Sequence, residues 1–290
     1  KLGSREMTAS SDLDLVFIYD TPPDADSSDG DKPLAPTQYY ARLGQRLINA
    51  ISAQTGEGSL YEVDMRLRPS GATGPIASSL AAFVQYHEQE SWTWEHMALT
   101  RSRVIIGPSA MNEKISQAIL ETLIRKRDPA KLLFDVADMR ERMDREHHTD
   151  FMWDVKHLRG GLVDVEFIAQ YLQLRHAHDH PDVLACDTRT ALENIQRLNL
   201  LDATVSEDLI DALALWQSLQ GMLRLTISRD RRKGRDHAIP EGLQNKLAAA
   251  CGLADFDTLI ENVNSTAATV SAHYQVIIAG PAREIPSDDG

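Results

Sequence analysis

The hydrophobic period changes once along this chain, near Gly107-Pro108, and that change limits what it can fold into. Ahead of it, short alternating stretches trade places with helical ones. Leu13, Leu15 and Phe17 alternate with Asp12, Asp14 and Val16, so residues 11–19 read as a strand. A loop rich in Asp, Ser, Pro and Gly follows over 21–36. A helix is expected at about 37–54, with Tyr40, Leu43, Leu47 and Ile51 on one face. Beyond Gly56-Glu57-Gly58 comes the most regular strand: Tyr61, Val63, Met65 and Leu67 point one way, Glu62, Asp64, Arg66 and Arg68 the other. A helix over 80–90, an aromatic segment at Trp92 and Trp94, and a last strand over 101–106 complete this half.

Past Met111 the spacing is helical throughout. Ile115, Ile119 and Leu123 mark one helix; Leu132, Val136, Met139 and Met143 another. Leu209, Leu213, Trp216, Leu223 and Ile227 define a long one, and Leu259, Val263, Val270, Tyr274 and Ile277 the last. Short connections between such helices favour a bundle. The expected architecture is α+β: a mixed sheet with helices over 1–108, then an all-α helical bundle over 109–290.

At 290 residues the chain can bury real cores, and 42% hydrophobic with 25% charged residues is a globular balance. No apolar run approaches the length that spans a bilayer, which argues against a membrane role. A net charge of −13 argues against a nucleic-acid partner. The basic run Arg229 to Arg235 is the exception, and reads as a solvated loop. Cys186 and Cys251 lack metal-ligand spacing and suit a reducing, cytoplasmic setting. The start at Lys1, inside what is argued below to be a motif, reads as an N-terminally truncated piece of a longer chain.

Three carboxylates carry the chemistry. Asp12 and Asp14, two apart on one strand, leave the same face of the sheet. Crowded like charges raise each other's pKa unless a cation lies between them, and Mg²⁺ takes hard oxygen ligands that it shares with phosphates. Asp64, on the polar face of the second strand, supplies a third ligand. Gly3-Ser4 forms a turn whose N–H groups and hydroxyl suit phosphate oxygens, and Arg66 and Arg68 place guanidinium groups beside Asp64.

Gly3-Ser4, Asp12-Leu13-Asp14 and Asp64 together resemble the nucleotidyltransferase superfamily that includes DNA polymerase beta. Within it, four stretches resemble the glutamine synthetase adenylyltransferases. They are Ser11-Asp12-Leu13-Asp14-Leu15-Val16-Phe17, the run from Tyr61 to Gly71, Trp92-Thr93-Trp94-Glu95-His96, and Arg159-Gly160-Gly161-Leu162-Val163-Asp164-Val165-Glu166-Phe167. Pro69-Ser70-Gly71 and the tryptophan pair are more similar to the adenylylating, C-terminal half of that two-headed family than to the half that removes AMP by phosphorolysis.

The resemblance implies transfer of AMP from ATP to a tyrosine of glutamine synthetase with release of pyrophosphate. It implies two Mg²⁺ ions, with Asp12, Asp14 and Asp64 as ligands and Asp64 also placed to take the phenol proton. Gly3 and Ser4 would face the triphosphate, and Arg66 and Arg68 would neutralise phosphate charge. The PII signal protein and glutamine are the regulators it implies. Two alternatives stand beside it: phosphorolytic removal of AMP, and a non-catalytic module that docks glutamine synthetase or the PII protein. Elsewhere, His176, His178 and His180 read as an exposed helix end, and Trp92 and Trp94 as packing residues. Lys156, Arg159, Asp164 and Glu166 surround Gly160-Gly161, where helix capping and a role near the active site are both open.

Overall fold

The computed structural model describes residues 1–8, 11–22, 24–58, 61–226 and 239–285. The basic run at 229–235, the expected helical Ile227 and the last five residues lie outside these. The chain forms two compact units, Lys1–Arg125 and Lys126–Gly290.

The first unit builds two small parallel pairs from one extended run. β1 (Leu13–Asp14) pairs with β3 (Val63–Asp64), and β2 (Phe17–Tyr19) pairs with β4 (Ala77–Ser79). The expected strand over 11–19 is thus divided between two partners. The expected strand over 61–68 stops at Asp64. There the chain curls, because the Arg68 guanidinium donates to the carbonyls of Met65, Ala72 and Gly74 at 2.7–3.2 Å, closing a turn where alternation alone predicted extension. Residues 101–106 form no strand either. Arg101 and Arg103 are engaged with the N-terminal turn instead.

Between the strands runs α1 (Pro36–Ile51), with Pro at its first position, where a missing N–H is harmless. It turns Tyr40, Gly44 and Ile48 inward rather than Leu43 and Leu47, which are left exposed. Gly44 sets that choice: a β-carbon there would lie 2.9 Å from the Phe17 ring and 3.0 Å from Ile76, so the helix packs at a distance only glycine permits. Tyr40 stacks on Tyr19 with ring centres 4.3 Å apart. α2 (Leu80–Gln89) starts directly from β4, capped by Ser79, whose hydroxyl accepts from the Ala82 N–H at 3.2 Å. α3 (Thr93–Leu99) follows, and α4 (Ser109–Leu123) packs on both α2 and α3. The helical period therefore begins one helix before the second unit does.

In the second unit α5 (Pro129–His147), α6 (Leu162–His176), α7 (Thr188–Arg197), α8 (Ala203–Thr226), α9 (Glu241–Ala250) and α10 (Phe256–Tyr274) pack together, followed by a π turn at Gln275–Ala279 and a short α11 (Gly280–Arg283). Asp128, Asp187 and Asp255 cap α5, α7 and α10 with bonds of 2.8–2.9 Å, each worth about 1 kcal/mol. α6 is apolar on nearly all sides and contacts α5, α7, α8 and α10, which makes it the central helix. Val165, Ile168, Ile195, Leu209, Leu213, Trp216, Leu259, Val263 and Val270 are fully enclosed, each apolar side chain contributing about 1.5–3 kcal/mol by burial. The expected register slips in two places. The π turn admits an extra residue, so Ile278 is buried where Ile277 was expected. On α5, Arg140 is buried while Met139 and Met143 are only half-buried.

Candidate active site

Parallel pairing of β1 with β3 sets Asp14 opposite Asp64 and Leu13 opposite Val63. The Leu13 N–H donates to the Glu62 carbonyl at 2.8 Å and the Leu15 N–H to that of Asp64 at 2.9 Å. Leu13 is buried while Asp12 and Asp14 on either side of it are exposed, so burial of one leucine orients both carboxylates outward.

The facing carboxylates are pulled in opposite directions. Partial loss of hydration, then the charges of Asp64 and Asp12, push Asp14 above the ordinary aspartate range. Asp64 is held below it, chiefly by the side chain of Arg66. Arg66 donates from Nε to Oδ1 at 3.1 Å and to Oδ2 at 2.8 Å, and from NH2 to Oδ2 at 2.5 Å. Its backbone N–H adds a bond to Oδ1 at 2.8 Å. The Arg66 side chain is 80% exposed, so this chelate lies open to solvent. Arg68 differs: its guanidinium is occupied by three backbone carbonyls.

In donor chemistry these residues fit Mg²⁺: all are hard carboxylate oxygens, and the repulsion felt by Asp14 is what a cation would relieve. Among the described residues, no three His, Cys, Asp or Glu side chains are placed ready to hold a metal. Asp64 is turned onto Arg66 instead.

Gly3 and Ser4 lie in a turn closed by the Glu6 N–H on the Lys1 carbonyl at 3.0 Å. Ser4 is only 4% exposed. Its hydroxyl donates to the Lys1 carbonyl and accepts from Arg101, both at 3.4 Å. Ser4 therefore holds the turn from within. Spacing alone missed Arg101, Arg103 and Glu6, whose roles depend on contacts about 95 to 101 residues apart in sequence.

Glu95 sits at the third position of α3, accepting from the Trp92 N–H at 2.8 Å and the Tyr86 hydroxyl at 2.8 Å. Burial, followed by this carboxylate, pushes the Tyr86 phenol up to about 12. Trp92 and Trp94, expected to pack, are 70% and 41% exposed. In the second unit, Asp164 at the start of α6 is buried, accepting from Arg140 Nε and from the Gly160 N–H at 2.5 Å. Arg159 pairs with Glu141 at 2.9 Å and Asp144 at 3.1 Å. Asp164 thus forms a buried ion pair that also holds the Gly160 N–H, while the pairs of Arg159 are partly exposed. The other half of the buried pair, Arg140, was not apparent from a helical pattern. His176, His178 and His180 follow one another at the end of α6, where His178 and His180 are exposed.

An acidic strand pair on an α+β unit, followed by a unit whose described residues form only helices and their connections, defines the class of chain. Residues 1–118 match the family model described as glutamate-ammonia ligase adenylyltransferase, and residues 131–278 the one described as GlnD PII-uridylyltransferase. The chain is 48% identical over 280 residues to a bifunctional glutamine synthetase adenylyltransferase/adenylyl-removing enzyme of Rhodopseudomonas palustris, and 46% over 280 residues to one of Bradyrhizobium diazoefficiens. A third, from Xanthobacter autotrophicus, is 44% identical over 283 residues. These alignments cover 96–97% of this chain and 28% of each relative. The chain belongs to the glutamine synthetase adenylyltransferase family, and spans about 28% of the length of these curated relatives.

Proposed function

We propose that this chain is an adenylylating nucleotidyltransferase, moving AMP from ATP to a tyrosine of glutamine synthetase. The carrying observation is the register that sets Asp14 opposite Asp64, with Asp12 two residues upstream, inside the segment that matches the adenylyltransferase model. In this reading a polymerase beta-like catalytic domain, expected over residues 1–108, takes in α4 as well, and the helical bundle, expected over 109–290, starts at α5.

Asp12, Asp14 and Asp64 would hold Mg²⁺, which when bound supplies charge neutralisation at the phosphates and lowers the pKa of a coordinated oxygen. The chain's own residues do the rest. The Gly3-Ser4 turn receives the triphosphate on its backbone N–H groups. Arg66, exposed and adjacent, neutralises phosphate charge when it releases Asp64. The phenol oxygen attacks the α-phosphorus, the bond to the β-phosphate bridging oxygen breaks, and pyrophosphate leaves with the electron pair. A free tyrosine ionises near pH 10, so the proton must go to a base. Asp64, ionised and on the strand facing the Asp12/Asp14 pair, accepts it. Arg68 serves by shaping the turn after Asp64.

A cytoplasmic setting fits this reading, and no described helix is long and apolar enough to cross a membrane. The match of the helical unit to a PII-uridylyltransferase model supports the PII protein as a regulator; glutamine as a second regulator rests on the family resemblance alone. A second reading, phosphorolytic removal of AMP, is favoured by the double name that the relatives carry. Transfer of labelled AMP from ATP to glutamine synthetase tests the first. Release of ADP from AMP-modified glutamine synthetase and phosphate tests the second. Absence of transfer with Mg²⁺ present refutes the first reading.

A further inference from the structure

The structure holds the Gly3-Ser4 turn by a clamp from the far end of the same unit. Arg5 carries a φ of +59°, a conformation that costs a side-chain-bearing residue and needs support from its surroundings. That support comes from residues 101–103. Arg103 donates from Nε to the Gly3 carbonyl at 3.0 Å and from NH2 to the Leu2 carbonyl at 3.2 Å. Arg101, only 8% exposed, donates to Ser4 Oγ at 3.4 Å and pairs with Glu6 just past the turn. The backbones also touch: a β-carbon on Gly3 would collide with the Arg101 carbonyl. Both carbonyls and the serine hydroxyl are thereby tied down on one side of the turn.

From this geometry we infer that Arg101 and Arg103 are positioning residues for the nucleotide's triphosphate, acting through the Gly3-Ser4 turn rather than by touching phosphate. The inference rests on the nucleotidyltransferase reading. Two guanidinium groups occupied by the turn's carbonyls and by Glu6 orient the backbone that receives phosphate.

The test compares Mg-ATP and AMP affinity by calorimetry, beside single-turnover AMP transfer. Arg103→Ala removes two hydrogen bonds from an exposed side chain, and should weaken Mg-ATP about tenfold while AMP affinity stays within about twofold. Arg103→Lys, with one donor head in place of a fork, should fall between. Gly3→Ala should copy Arg103→Ala. Because both act on one turn, the double variant should lose little more than either alone. Additive losses, or equal weakening of AMP and ATP, would mean that Arg103 contacts the nucleotide itself and would overturn the clamp. Unchanged ATP affinity in Arg103→Ala overturns it as well. Wild-type protein that fails to bind Mg-ATP would instead overturn the nucleotidyltransferase reading on which the clamp depends.

Discussion

Asp14 and Asp64 face each other across two parallel strands, one made harder to ionise and the other held ionised by Arg66. In the proposed reaction the two would take different tasks, Asp14 as a ligand awaiting a cation and Asp64 as the base.

Asp12→Asn and Asp14→Asn should each abolish AMP transfer while the fold persists. Losing one anionic ligand beside the phosphates costs several kcal/mol of transition-state stabilisation, so rates should fall at least about a hundredfold. Labelled-AMP transfer beside circular dichroism checks this, and a variant that keeps a tenth of the wild-type rate refutes the ligand assignment.

Asp64→Asn should separate binding from chemistry. Removal of a general base typically costs about 10²–10⁴-fold in rate, whereas Mg-ATP affinity should remain near normal. Raising the pH toward the phenol's own pKa should recover part of the lost rate. Equal losses of affinity and rate would reduce Asp64 to a ground-state ligand.

The metal-free protein should gain stability from Asp14→Asn at neutral pH. The sign follows from linkage: a carboxyl whose folded pKa lies above its unfolded value binds protons more readily when folded. The wild-type penalty is therefore full above the folded pKa, and fades as pH falls through the folded and then the unfolded value. Because the side chain is exposed, screening keeps the gain below about 1 kcal/mol. Thermal melts at pH 7 and pH 3.5 should differ between wild type and variant at the first and converge at the second. A variant that is less stable at pH 7 contradicts this.

In the helical unit, Asp164→Ala should be among the most damaging single changes. It leaves the Arg140 guanidinium buried without its main anion, and breaking such a pair costs about 3–5 kcal/mol. Replacing both members, Arg140→Met with Asp164→Leu, should recover a substantial part of that loss in urea denaturation. A loss below about 1 kcal/mol for the single change would place the pair with ordinary surface bridges.

Gly160→Ala should also destabilise this unit, by about 2 kcal/mol or more, through its backbone rather than its charge. Gly160 has a φ of +78°, and an added methyl would collide with the Ala267 carbonyl on α10. The same melts check it, and wild-type stability in Gly160→Ala would show that α10 yields at that contact.

The amino-acid sequence by itself determined the change from mixed to helical architecture, the helices of the second half, and the spacing that places Asp12 and Asp14 either side of a buried leucine. These are local properties: side chains repeat with the period of the backbone that carries them, and a cap or a proline acts within one turn. Tertiary structure alone decided which strand each half of residues 11–19 would pair with, and that Asp14 would meet Asp64 in register. It also decided that α1 would present Gly44 rather than Leu43 to Phe17, and that an arginine would be buried on α5 where methionines were expected. Each of these depends on a partner far away in the chain. A buried guanidinium is stable only where a carboxylate such as Asp164 arrives to meet it, and a helix turns its glycine inward only where a ring such as Phe17 lies close enough to require it.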